Sequence, residues 1–416
     1  MPRNFLKSMN KKIYFALSLT AMITLVAASL AVMPFSSSAA EQPERKIVVF
    51  KSGVLSDSAR ENLISKFGAV KIKNLDLIGA KAVMLSPRMA AALAREQAVA
   101  RVDDDVAVEA LEQDKTGADF SALGKSTKSS LLQPAEVIPW GIKRVKADTA
   151  WAKTVGAGIK VGIIDTGISN THPDLSANIK GGVNTIISRN GWNDDNGHGT
   201  HVAGTVAAIK NTIGVVGVGP QINLYAIKVL DRNGSGYLSD VIEGLDWAIQ
   251  NKMQVVNMSL GANVDVQSFH DAVRRANAAG VVQVAAAGNS GGAVGYPAAY
   301  PEVIAVSATD SADTIANWSS RGPQIALAAP GVAIYSTYKG AAYATLSGTS
   351  MASPHVAGTA ALVLSLPATC DLDLNGVCSP AEVAQRLEKT AQDLGAAGKD
   401  DLYGYGLVNA AAAVGQ

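Results

Sequence analysis

Strand-like and helix-like patterns alternate along most of this chain. Near-continuous apolar runs at 159–164, 222–230, 255–261 and 281–287 read as strands buried on both faces of a sheet. Stretches with helical spacing at 238–251 and 269–279 separate them. This alternation predicts an α/β domain, three-layer α/β/α, with a mainly parallel central sheet. Upstream the pattern is shorter: strands over 46–50, 69–72, 80–85 and 98–102, helices over 57–67 and 87–95. The order β-α-β-β-α-β predicts a small α+β, ferredoxin-like domain. From Leu111 to Pro134 periodicity gives way to polar residues, among them Glu112-Gln113-Asp114-Lys115, as in an exposed linker that is easily cut.

The first forty residues follow a different logic. Arg3, Lys7, Lys11 and Lys12 precede an apolar run over 13–33, and Ser36 to Ala40 are all small. That is the layout of a signal peptide, cleaved after Ala40, although the run is long enough to serve as a membrane anchor instead. The expected organisation is therefore 1–40 signal peptide, 41–111 small domain, 112–133 linker and 134–416 large domain. A chain of 416 residues, 48% hydrophobic, buries a full-sized core. A net charge of +1 gives no reason to expect nucleic acid as a partner. Cys370 and Cys378 are the only cysteines, so no disulfide framework holds the fold together. Export makes one bridge between them chemically permissible.

Four positions carry candidate chemistry. Asp165 closes the apolar run at 159–164, and open α/β sheets place ligands beyond the carboxyl ends of such strands. A turn-forming aspartate is the alternative. His198 and His201 open a small-residue helix without a glutamate or cysteine close by, which favours a general base over a zinc site. Ser350 begins a helix with an apolar continuation over 359–366. A helix start offers unpaired N–H groups and a positive dipole end to developing negative charge, and helix capping is the plain alternative. Asn289 follows the strand at 281–287. Its side-chain amide could donate to an oxyanion alongside the backbone N–H of Ser350.

Taken together, VGIIDTGI, HGTHVAG, MSLG, AAAGN and GTSMASPHVAG resemble the subtilisin family of serine endopeptidases, in that family's Asp, His, Ser order. The resemblance covers roughly 136–410. It implies Ser350 as nucleophile, His198 rather than His201 as general acid/base, Asp165 as the orienting acid and Asn289 as oxyanion donor. His172 and His355 have no catalytic counterpart. It further implies that Gly234-Ser235-Gly236 and Ser259-Leu260-Gly261 form two backbone edges gripping a peptide. Gly288 and Gly295 would floor an uncharged pocket for a large apolar side chain.

The same resemblance implies a calcium loop. Carbonyls of Ile209, Ile213 and Val215 would join the Asn211, Asp174 and Glu136 side chains, an all-oxygen set suited to a hard cation. A second signal comes from the residues themselves. Asp371, Asp373, Asn375, Val377 and Glu382 fit the D-x-D-x-N-G-x₅-E template of an EF-hand loop, with the surface-loop reading as alternative.

These features lead to a secreted, monomeric endopeptidase acting on polypeptides. It would be made as a proenzyme whose small domain assists folding, docks over the cleft and is cut away near Leu111, without stable membrane association afterwards. An inactive peptide-binding relative and an esterase are the competing readings. Presence of all four catalytic residue types disfavours the first, and two peptide-gripping edges disfavour the second.

Overall fold

The computed structural model of the chain describes residues 41–112 and 133–416. The expected signal peptide and nearly all of the expected linker lie outside the described residues.

Residues 44–104 form a four-stranded antiparallel sheet with two helices. Its elements are β1 (Glu44–Phe50), α1 (Asp57–Lys66), β2 (Val70–Leu75), β3 (Ala80–Leu85), α2 (Pro87–Leu93) and β4 (Val99–Asp104), with strand order β2-β3-β1-β4. Serine hydroxyls cap both helices, Ser56 for α1 and Ser86 for α2, and Pro87 sits where a helix needs no N–H. Strand alternation sends the two faces of this sheet into different cores. Val48 and Phe50 face Ile64 and Leu93 of α1 and α2, whereas Ile47 and Val49 join a cluster containing the helices of the larger domain.

In the upstream region one strand was not read from the sequence: β5 (Ala107–Ala110), directly ahead of Leu111. It pairs with neither sheet, although Val108 is buried in the core they share.

The larger domain holds a seven-stranded, all-parallel sheet. In chain order its elements are α3 (Trp140–Arg144), α4 (Ala147–Ala150), β6 (Lys160–Asp165), β7 (Ile179–Asn184), α5 (His198–Ala207), β8 (Asn223–Lys228), β9 (Ser235–Tyr237), α6 (Leu238–Gln250), β10 (Val255–Met258), β11 (Leu260–Gly261), α7 (Gln267–Ala278), β12 (Val282–Ala286), β13 (Val303–Thr309) and β14 (Ile325–Pro330). The hairpin β15 (Ile334–Tyr338) and β16 (Ala342–Leu346) leads into α8 (Thr349–Leu364), followed by α9 (Pro380–Thr390) and α10 (Ala410–Ala413). The sheet order β14-β13-β12-β10-β6-β8-β7 places β6 and β10 side by side at its centre.

Helices cover both faces, giving the three-layer arrangement. On one side, Val202 and Val206 of α5 and Met351, Val356 and Leu362 of α8 pack with Val161 and Ile163 of β6. On the other, Val241 and Leu245 of α6 and Phe269 and Val273 of α7 pack with Ile164 and Val256. That second core continues into Ile47, Val49 and Leu75 of the small sheet and Ile78 of the turn after β2, all buried. Burying each of these large side chains contributes on the order of 2 kcal/mol, so the small domain is held to the helices α6 and α7 mainly by apolar contact.

Polar contacts fix its orientation there. Asp105 accepts from the backbone N–H of Ser239 (2.8 Å) and Asp103 from that of Ser268 (3.1 Å), each at the start of α6 or α7. Lys73 reaches Asp240 and Glu243, the latter at 2.8 Å.

Candidate active site

Three segments of the parallel sheet's carboxyl edge converge. Asp165 ends β6, and its Oδ1 accepts from the Thr166 N–H at 2.7 Å. His198 starts α5, and its Nδ1 lies 2.8 and 2.9 Å from the two Asp165 oxygens. Both side chains are fully buried. With Nδ1–H donated to the carboxylate, Nε2 is left as the ring's acceptor, and it is buried without a hydrogen-bond partner. Burial alone would hold the imidazole neutral. The charge and hydrogen bond of Asp165, with Glu112 and Asp194 adding to the field, outweigh it and push His198 up to about 9.

Ser350 is the second residue of α8 and is buried. Its hydroxyl donates to the Ser259 carbonyl at 3.0 Å rather than to the imidazole. Ser259 also grips the serine from behind. Its own hydroxyl donates to the Ser350 carbonyl (2.9 Å), meets Ser353 Oγ (2.9 Å) and accepts from Asn257 Nδ2 (2.9 Å). Neither Ser259's double grip nor Asn257 is marked by a sequence motif of its own.

Asn289 is oriented by Thr349, whose N–H and hydroxyl both donate to Asn289 Oδ1, at 3.0 and 2.9 Å. That leaves Nδ2 facing the cleft, where it donates to the carbonyl oxygen of Leu111 at 2.7 Å.

The chain's own tail occupies the cleft. β5 pairs antiparallel with β9 on one side and β11 on the other, so Val108 lies opposite Gly236 and Ala110 opposite Leu260. Ala110 N–H donates to the Gly234 carbonyl at 2.9 Å and Leu111 N–H to that of Ser259 at 3.2 Å. Every edge residue read from the sequence, Gly234 to Gly236 and Ser259 to Gly261, therefore borders this strand. A strand of four residues has little order of its own, and here two flanking edges supply it.

Leu111 enters a cavity of about 470 Å³ lined by Gly261, Asn263, Val264, Gly288, Gly295 and Ser320. The large domain contributes no charged side chain to that lining. Gly261 and Gly288 are needed there. A Cβ on Gly261 would lie 3.3 Å from Leu111 Cδ1, and one on Gly288, whose φ is +114°, 2.8 Å from Ser320 Oγ.

Three other histidines, His172, His201 and His355, are buried and bonded to backbone. His201 Nε2 bonds the carbonyls of Ile334 and Ala344, and burial takes the ring down to about 3. His355 is taken down to about 4 for the same reason, with Nδ1 on the Met351 carbonyl. His172 lies between the Ala342 carbonyl and the Asp174 N–H.

The loop at 209–215 gathers the oxygens expected of it. Asp174 is fully buried, and burial raises its carboxyl to about 6 with Glu136 adding like charge. Among the described residues no Lys, Arg or His pairs with either acid. Asn211 bridges them, its N–H on Glu136 and its Nδ2 on Asp174 Oδ1 at 2.8 Å. Among the described residues the carbonyls of Ile209, Ile213 and Val215 accept no hydrogen bond. Unpaired carboxylates beside free carbonyls fit a hard cation.

The loop at 371–382 brings Asp371, Asp373 and Glu382 within 4.8 Å of one another. Glu382 also caps α9, taking the Ser379 N–H at 2.8 Å, and backbone donors hold its carboxyl down to about 2. Asn375 and Gly376 send their N–H groups to Asp371, and Val377 sends its own to Asn375. Cys370 and Cys378 form a disulfide across this loop.

Comparison with known proteins matches residues 156–406 to the profile described as Subtilase family. The chain is 49% identical to subtilisin DY of Bacillus licheniformis over 285 residues, covering 67% of this chain and 99% of that protein. It is 38% identical to subtilisin E of Bacillus subtilis over 415 residues, 97% of this chain and 99% of that one. Subtilisin Savinase of Lederbergia lenta is 48% identical over 281 residues, 67% and 99% respectively.

Proposed function

This chain belongs to the subtilase family and is a serine endopeptidase, and from that premise we propose that it is a secreted, self-processing proenzyme working through Ser350, His198, Asp165 and Asn289. The observation that carries the proposal is the Leu111 carbonyl on the Asn289 amide, at the end of a strand gripped on both edges. The tail lies as a substrate would, with Leu111 before the bond to be cut and Glu112 after it.

The chemistry follows from the residues. Ser350 Oγ turns from the Ser259 carbonyl, gives its proton to His198 Nε2 and attacks the Leu111 carbonyl carbon. Negative charge then appears on the oxygen already facing Asn289 Nδ2, where a fixed dipole acts without reorganising. Asp165 holds the imidazolium in place through Nδ1. His198 returns the proton to the Glu112 nitrogen as the C–N bond breaks, leaving Leu111 esterified to Ser350. A water deprotonated by the same Nε2 then hydrolyses the ester.

The uncharged pocket around Leu111 supports a preference for large apolar residues before the cut bond in foreign polypeptides too. Main-chain pairing to the two edges makes the rest of the recognition broad. The small domain at 41–111 would act as folding aid and inhibitor until removed, leaving a monomer. For calcium, the 209–215 loop with Glu136 and Asp174 is the tight site, and 371–382 a second. Bound calcium would neutralise acids that burial otherwise penalises. Among the described residues no helix is long and apolar enough to cross a membrane.

The test is processing. Ser350→Ala purified alone should remain full length, whereas the parent chain releases residues 41–111. Normal maturation of the alanine variant would assign the cut to another protease.

A further inference from the structure

Asp194 lies outside the four residues named above, yet it is hydrogen-bonded to sequence neighbours of both His198 and Asp165. It stands in the loop before α5 and is buried, with 4% of its surface accessible. Its Oδ1 accepts from the N–H groups of Asn196 and Gly197, both at 2.9 Å, and from the Thr166 hydroxyl at 2.9 Å. Its Oδ2 accepts from the Thr200 N–H at 3.0 Å and the Thr200 hydroxyl at 2.6 Å. No cation is among these five partners.

The partners divide between two segments. Asn196, Gly197 and Thr200 bracket His198 in the entry and first turn of α5, a ten-residue helix whose N-cap, Gly197, has no side chain to cap it. Thr166 follows Asp165, and its N–H already holds Asp165 Oδ1 at 2.7 Å. The Thr166 hydroxyl, while donating to Asp194, accepts from the Gly199 N–H at 2.9 Å. Asp194 and Thr166 thus tie the helix that bears the imidazole to the strand end that bears its carboxylate.

We propose that Asp194 is a positioning residue for the proposed catalytic pair, fixing the start of α5 against the end of β6 so that the imidazole and carboxylate keep one geometry. It acts through backbone and through Thr166, without touching substrate. A misplacement of about 1 Å in such a constellation costs roughly a hundredfold in rate. Asp194 also contributes negative charge near the ring. The other groups facing His198 are Asp165 from β6, Glu112 from the tail and, on α5 itself, neutral His201. Tyr338 from β15 lies in the field of Glu112 and Asp194, and Lys228 donates to the Thr166 carbonyl behind them at 2.6 Å.

The inference rests on the catalytic reading above, and the test separates the two. Chains processed in trans by a trace of parent protease, then repurified, are assayed on a chromogenic peptide across pH. Asp194→Asn should lower kcat roughly 10- to 100-fold with KM changed less than threefold, and should move the acidic limb of the profile to lower pH. Thr166→Val should lower kcat roughly tenfold with the limb unmoved, and Thr166→Ser should restore it. This threonine pair decides the matter if Asp194→Asn does not fold. The proposal is overturned if Asp194→Asn keeps kcat within twofold, if its loss appears in KM with the limb unmoved, or if Thr166→Val equals Thr166→Ser. Parent-level hydrolysis by His198→Ala would instead remove the catalytic reading, and this inference with it.

Discussion

Asp174 offers a test in which the sign of a pH effect reports the cation. Its carboxyl is fully buried and raised from 3.8 to about 6, first by desolvation, with Glu136 opposing ionisation further. Without a cation the folded state binds this proton more tightly than the unfolded chain. Stability contributed by Asp174 is therefore intact below pH 3.8 and lost as pH rises through about 6. The loss amounts to about 3 kcal/mol at neutral pH, from about 1.4 kcal/mol for each pH unit between the two values. Asp174→Asn removes that penalty. It also turns an amide N–H₂ toward one of the donors that Asp174 now accepts from, Val215 N–H or Asn211 Nδ2, which costs about 1 kcal/mol. In chelator, Asp174→Asn should thus be about 2 kcal/mol more stable than its parent near pH 7.5, with the advantage gone by about pH 4.5 and the order reversed below it. In calcium the order should invert, because a bound cation favours the carboxylate. Urea unfolding followed by tryptophan fluorescence measures both, with Ser350→Ala as background in each chain to prevent self-digestion. A parent that gains as much from calcium with asparagine at 174 as with aspartate would refute the reasoning. So would a chelated difference independent of pH.

The remaining predictions concern cleavage. Glu112→Gln removes a charge that helps hold His198 at about 9, so the neutral imidazole becomes available at lower pH. The pH at which self-cleavage reaches half its maximum, read by gel densitometry, should fall. Gly199→Ala would place a Cβ 2.2 Å from the Gly167 carbonyl and 3.1 Å from Asp165 Cβ, wedging α5 away from β6. Hydrolysis should drop at least a hundredfold, measured with active-site titration to exclude lost protein. Leu111→Asp should slow release of the small domain more than tenfold by putting a charge in the uncharged pocket, whereas Leu111→Phe should release it at near the parent rate, as mass spectrometry of timed samples would show.

The interior strand β13 was not read although it is buried along its whole length, but β6, β8, β10 and β12 were legible because burial on both faces leaves them nearly all apolar, as in Val161 to Ile164. Edge and half-covered strands were not. Ile179–Asn184 carries two glycines and a lysine, and reads as strand only beside β8. The hairpin at Ile334–Tyr338 and Ala342–Leu346 likewise lacks a continuous apolar face. Strand β5 has only four residues, and its order comes from Ser235–Tyr237 and Leu260–Gly261. The family resemblance singled out Asp165, His198, Asn289 and Ser350. It was silent on Asp194 and Thr166 and gave Ser259 only as a peptide edge, because their further parts consist of hydrogen bonds between segments distant in the chain. The direction of the Ser350 hydroxyl, toward Ser259, was equally unreadable, since it depends on a rotamer and not on residue type.

Labelling by a serine-directed phosphonate probes most directly whether Ser350 and His198 act together. The processed protein, treated with the reagent, digested and sequenced by mass spectrometry, should carry one adduct, on Ser350, and lose all hydrolysis in proportion to labelling. His198→Ala should take up the label at least a hundredfold more slowly. An adduct on another serine, or undiminished labelling of Ser350 in the His198→Ala chain, would contradict the mechanism.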